Sequence, residues 1–157
     1  MRLWIPLVLL LAACSAAPIT VKLQDFDLPI ATVQSDQVVF AQQSFKKPSV
    51  GLSSVRLEGN LTYQSGPYGL SFYAANGEPC TNAVGDYRVC GADDPNIELA
   101  GKVDFTSGAT QPLSLSAGKL TQGINSGNLW IGVKLESGAV TTGTLQFRNL
   151  VAKIAVF

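Results

Sequence analysis

Val55-Arg56-Leu57-Glu58-Gly59-Asn60-Leu61-Thr62-Tyr63 is the run that decides the fold class. Val55, Leu57, Leu61 and Tyr63 fall on one parity, with Gly59 among them. Arg56, Glu58, Asn60 and Thr62 fall on the other. Successive side chains of a β-strand point to opposite faces, so strict period-two alternation marks a strand with one face buried and one wet. The turn-forming run Gln64-Ser65-Gly66-Pro67-Tyr68-Gly69 follows, and Leu70, Phe72 and Ala74 alternate again. Residues 55–75 therefore read as a β-hairpin at the centre of the fold.

The same pattern extends outward in both directions. Ile19, Val21 and Leu23 alternate with Thr20 and Lys22, and Val38-Val39-Phe40 is a short apolar run. Tyr87–Cys90 reads as a brief strand. Ile97, Leu99, Val103 and Phe105 share a face opposite Glu98, Lys102 and Asp104. Leu113 and Leu115 mark another strand. Leu129, Ile131, Val133 and Leu135 mark one more, opposite Trp130, Gly132, Lys134 and Glu136. Turn residues punctuate these runs at 76–79, 91–96 and Ser137-Gly138.

The final run changes parity. Leu145 and Phe147 share one face, whereas Leu150, Ala152, Ile154 and Val156 share the other. A one-residue slip exchanges the two faces of a strand, so a β-bulge is expected near Arg148-Asn149. No segment shows a useful helical period. The prediction is an all-β protein, an antiparallel β-sandwich of about seven to nine strands, forming a single domain over 19–157. The run ending at Phe157 reads as a buried sandwich strand rather than part of an outer-membrane barrel, whose strands need ~10 residues.

With 157 residues the chain is sized for one domain and can bury a core without help from a metal. Eleven basic residues balance eleven acidic ones. That balance, and the lack of a basic cluster along the sequence, favours neither nucleic acid nor an anionic lipid surface as partner.

The chain has no histidine. This removes the commonest general base, the Ser-His-Asp and Cys-His arrangements, and histidine-ligated metals. No phosphate-cradling glycine loop stands between a strand and a helix. The expectation is a non-enzymatic protein with no metal and no cofactor. Glu78, Asp86, Asp93, Asp94 and Glu98 lie near turns and read as solvated turn residues. A glycosidase would need two of them facing across a cleft. A weak calcium site within Asp86–Glu98 is the other reading, although it lacks the ligand spacing of an EF-hand. Trp130 and Tyr73 oppose the core parity of their strands, so they are the candidate ligand-binding residues, able to stack on sugar rings or anchor a protein partner. The competing structural reading is that Trp130 covers Gly132 or lies beneath a loop.

The first fourteen residues, Met1-Arg2-Leu3-Trp4-Ile5-Pro6-Leu7-Val8-Leu9-Leu10-Leu11-Ala12-Ala13-Cys14, place one basic residue before an apolar run that ends in small residues. That is the layout of a signal peptide, and the run is too short for the ~20 residues of a membrane span. Leu11-Ala12-Ala13-Cys14 resembles the lipobox of bacterial lipoproteins. The resemblance covers this N-terminus alone. It implies removal of residues 1–13, a diacylglyceryl thioether on Cys14 and an anchor in the cell envelope. Ser15 follows Cys14, without the aspartate that retains many such proteins in the inner membrane, so in a cell with two membranes the outer one is implied. Residues 14–18 form a short tether: Ser15 to Pro18 reach about 14 Å when extended, which keeps the domain close to the bilayer.

With Cys14 lipidated, Cys80 and Cys90 remain. An even remainder in an oxidising compartment reads as one disulfide. A metal pair is the alternative, but the chain has no histidine and no further cysteine to complete a four-ligand zinc site. Asn60-Leu61-Thr62 matches a glycosylation acceptor and is set aside because the leader is bacterial in type. The functional expectation is a membrane-anchored envelope lipoprotein with a structural or binding role, its partner another envelope protein or a glycan. The alternative is a carbohydrate-binding or weakly carbohydrate-active domain using Trp130 and Tyr73.

Overall fold

Period-two runs become strands wherever the sequence carries them, in a computed structural model that describes residues 19–140 and 142–154. The leader, Cys14, the tether and the last three residues lie outside the described residues. In chain order the strands are β1 (Thr20–Lys22), β2 (Phe26–Pro29), β3 (Gln37–Gln42), β4 (Val55–Thr62), β5 (Gly69–Ala75), β6 (Ala83–Val84), β7 (Tyr87–Gly91), β8 (Glu98–Asp104), β9 (Thr110–Ser116), β10 (Trp130–Ser137) and β11 (Thr144–Ile154). One helix, α1 (Gly118–Ser126), joins β9 to β10.

The strands form two antiparallel sheets packed as a sandwich. The five-stranded sheet runs β1-β11-β4-β9, with β2 also pairing β11. The six-stranded sheet runs β6-β7-β3-β10-β5-β8. The all-β sandwich expectation holds. The described residues form eleven strands, and the two beyond the predicted seven to nine are short ones that no alternating run marked, β2 with four residues and β6 with two. Leu57, Leu61, Leu115 and Phe147 from one sheet meet Val39, Phe72, Ile131 and Val133 from the other in the main core. There Phe72 and Phe147 pack edge to face with ring centres 6.0 Å apart.

Residues 55–75 are not a hairpin. β4 pairs with β9 and β11, whereas β5 pairs with β8 and β10, so residues 64–68 carry the chain across the core from one sheet to the other. Two alternating runs joined by a turn look alike whether they pair side by side or face each other across a core, because alternation reports the buried face and not the neighbour. Tyr68 holds this crossing in place, with its ring 5.4 Å from both Tyr63 and Phe105.

The helix is the second departure from the sequence reading. Ala117 and Gly118 at its start supply no side-chain cap, so the local signal is weak. The cap comes from a distant strand: the Glu98 carboxylate accepts the Lys119 N–H at 2.8 Å. A carboxylate there also complements the positive end of the helix dipole. Leu120 and Ile124, one turn apart, bury the inner side of the helix. Gly127, at φ 78°, closes its C-terminus.

The predicted bulge is present. The pairing of β11 with β4 shifts register between Arg148 and Val151, and Asn149 adopts φ 56°. The Asn149 N–H donates to the Asp25 carboxylate at 2.8 Å. The bend lets β11 pair first with β2 and then with β1 along the same edge. Among the described residues no helix is long and apolar enough to cross a membrane.

A second, smaller cluster lies on the outer face of the six-stranded sheet. Val38, Phe40, Ala75, Cys90, Ile97 and Trp130 are buried there, with Tyr73, Cys80 and Ala92 packed against them. Cys80 and Cys90 are disulfide-bonded, with Cα atoms 5.8 Å apart. The bond ties the loop after β5 onto β7 and helps cover this outer face.

Candidate functional site

A polar cleft of about 780 Å³ opens beside this outer cluster, within the size range of small-ligand sites. The end of β3 contributes Ala41 and Gln42, β10 begins at Trp130, and Asn128 lies just before it. Glu78 comes from the loop after β5, Asp86 and Arg88 from the β6–β7 hairpin, and Asp27 from β2.

Local sequence explains the hairpin. Val84 pairs with Tyr87, leaving Gly85 and Asp86 as a two-residue connection. Gly85 takes φ 60°, the left-handed conformation that lets such a tight turn follow the twist of its strands. Arg88 is thereby aimed over the indole of Trp130. Its guanidinium carbon lies 5.5 Å from the ring centre, and its Nε donates to Glu78 at 2.6 Å. A guanidinium so placed is attracted by the ring face by about 0.5–1 kcal/mol.

Trp130 itself is only 6% exposed. It faces away from the main core, as its parity predicts, but Cys80, Cys90 and Ala92 pack in its cluster and Arg88 lies over its ring. Its indole N–H is buried and meets no acceptor among the described protein atoms. A buried donor without an acceptor costs roughly 1–3 kcal/mol. The structural reading, that Trp130 covers Gly132 or lies beneath a loop, is met in its second form, with the Cys80 segment packed against its cluster. The Phe40 ring and Val38 crowd Gly132, where a Cβ would lie 2.6 Å from each. Trp130 sits beside them in the same cluster.

Asp27 is 2.6 Å from the Arg148 guanidinium, and this hydrogen-bonded carboxylate pushes the arginine above its ordinary pKa. Arg148 also donates to the carbonyls of Phe26 and Phe147, which fixes β2 against β11. The Gln42 and Asn128 amides approach to 3.4 Å on the cleft rim.

Of the two candidate ligand-binding residues, Trp130 lines the cleft and Tyr73 does not. Tyr73 is half-buried against the outer cluster. Arg88, Asp27, Gln42 and Asn128 were not singled out in the sequence, and Glu78 was read there as a solvated turn residue. The legible signal for two of them was their position: Arg88 and Glu78 lie within and beside the Cys80–Cys90 segment. The calcium reading of Asp86–Glu98 is not supported by the placement of its residues. Asp86 lines the cleft, Asp94 accepts the Asn96 N–H of its own turn, and Glu98 caps α1. Among the described residues no three His, Cys, Asp or Glu side chains gather as a metal-holding group.

The fold and cleft thus define a two-sheet β-sandwich with a ligand-sized polar recess lined by β2 of the five-stranded sheet and by β3, β7 and β10 of the six-stranded one. No protein-family model matches the chain, and no curated protein sequence matches it.

Proposed function

We propose that the protein is a lipid-anchored envelope lipoprotein with a non-enzymatic binding role, holding its cleft close to the membrane. The observation that carries the binding role is the cleft itself, where a buried tryptophan, an arginine and three carboxylates share one recess. The leader ending Leu11-Ala12-Ala13-Cys14 supports the location. The Cys80–Cys90 bond agrees with it, since such bonds persist in oxidising compartments.

Changing Cys14 to Ser tests the anchor. The expected outcome is loss of lipidation and of the processing that depends on it, seen as accumulated precursor or a mislocalised product. Normal maturation and unchanged membrane fractionation of Cys14→Ser would remove the anchored reading. Pull-down of the native lipoprotein from its own envelope identifies the partner.

The second reading, a carbohydrate-binding domain, is favoured by the mixture of groups around Trp130. The carboxylates and the Gln42 and Asn128 amides can exchange hydrogen bonds with hydroxyls, beside an apolar ring. Glycans that quench Trp130 emission and lose that effect in Glu78→Ala would support it. A glycan screen in which the emission never changes rejects it.

A further inference from the structure

The sequence shows no long basic run, but the fold builds a basic and apolar face beside the point where the tether enters the domain. Lys22 on β1 and Lys46 and Lys47 in the segment before β4 line one open groove with Ile19 and Val50. Ile19 is 40% exposed and Val50 50%, two of the most exposed large apolar side chains described. The Leu23–Phe45 bridge and a Gln24 N–H to Ser44 carbonyl bond hold the two segments together. Thr20 pairs with Lys153 and Lys153 with Arg56, so the positive charge continues across the outer face of the five-stranded sheet. Glu58, paired to Lys153, is the acidic residue in this row. Among the described residues no carboxylate lies within ion-pair distance of Lys22, Lys46, Lys47 or Arg56.

We infer that this face rests on an anionic phospholipid surface, with Ile19 and Val50 at headgroup depth and the lysines against lipid phosphates. The inference rests on the lipoprotein reading of Cys14. Two observations select this occupant. Cys14 and Ile19 are five steps apart, at most about 17 Å of extended chain, so an anchored Cys14 keeps this end of the domain at the bilayer. The charge of the face is complementary to anionic headgroups, to which each nearby lysine is attracted severalfold. The anchor then fixes distance, and the basic face fixes orientation.

The test uses the mature protein purified from membranes and reconstituted into vesicles of phosphatidylcholine, with or without phosphatidylglycerol. Mass spectrometry first establishes the lipid on Cys14. With Cys14 acylated and Cys80–Cys90 bonded, Val50→Cys supplies one free thiol for an environment-sensitive fluorophore. Ser107→Cys, in the exposed β8–β9 turn at the far end of the sheet, supplies the control. Headgroup spin labels should quench the probe at 50 and not at 107, and more strongly with phosphatidylglycerol. Neutralising lysines 22, 46 and 47 to glutamine should lower the docked-to-free ratio about fivefold each, roughly a hundredfold together. Retention of the disulfide and of the β-type circular-dichroism spectrum shows that these surface variants remain folded.

Equal quenching at 50 and 107 in a lipidated protein overturns the docked orientation and leaves the anchored reading standing. Indifference to phosphatidylglycerol and to the lysines overturns it as well. Shielding of position 50 in native envelope but not in lipid vesicles assigns the face to a protein partner and also overturns it. A free Cys14 thiol on an unprocessed chain removes the anchored reading, and this inference with it.

Discussion

Leu150 occupies the space that a side chain at position 59 would need. A Cβ on Gly59 would lie 2.8 Å from Leu150 Cδ2 and 2.9 Å from the Arg148 carbonyl oxygen. The bulge at Asn149 turns Leu150 into the core just where β4 carries its one residue without a side chain. Gly59 and the parity change in β11 are therefore one feature seen from two strands.

Gly59→Ala should destabilise the domain by about 1–3 kcal/mol, since a backbone carbonyl cannot move aside as a flexible side chain can. Gly77→Ala is the control, because nothing lies within 4 Å of the added methyl. Thermal unfolding of the two variants should separate them clearly. Equal melting temperatures would show that β4 and β11 are not packed as described.

Replacing both Cys80 and Cys90 by Ala should cost about 3 kcal/mol, from the chain entropy of a short closed loop. Trp130 shares its cluster with Cys90, so its emission should shift to the red in the same variant. Denaturant unfolding followed by fluorescence measures both effects at once. A loss of stability without a spectral change would place the loosening away from the cleft.

Arg88→Ala removes the cation that covers the Trp130 ring. Quenching of Trp130 by acrylamide should rise, while Lys119→Ala, a residue at the start of α1, should leave it unchanged. Identical quenching in wild type and Arg88→Ala would mean that the arginine does not shield the indole.

Glu98→Ala should cost about 0.5–2 kcal/mol, the usual range for loss of a helix cap, because the Lys119 N–H loses its acceptor. Glu98→Gln keeps an acceptor of the same reach and should lose less. The denaturant midpoints should fall in the order wild type, Gln, Ala.

Glu136 provides a pH signature. Hydrogen bonds from Lys102 and then from the buried Ser71 hydroxyl hold its carboxyl below the ordinary value of 4.5. A carboxylate whose pKa falls on folding stabilises the fold above the unfolded pKa, and that stabilisation is lost as pH drops through the folded value. Glu136→Gln should therefore be less stable than wild type at neutral pH, and the gap should close on acidification below about 4.5. A gap that stays constant from neutral to acid would show that ionisation of Glu136 contributes nothing.

Much of the architecture was legible in the alternation. The strand at 55–63, the bulge at Arg148-Asn149 and the outward parity of Trp130 each follow from a local rule, because a strand's buried face repeats every two residues. The pairing of Cys80 with Cys90 followed from counting. Long-range contacts decided the rest. Whether β4 and β5 pair or face each other depends on which other strands fill their edges, and α1 depends on a cap from Glu98 twenty-one residues away. The cleft unites β2, β3, β7 and β10, and the basic face unites β1 with residues 46–50, so neither exists as a pattern along the chain. Alternation records one bit per residue, buried or wet, whereas a site depends on which wet residues of distant strands become neighbours, and register and sheet order set that only when the core closes.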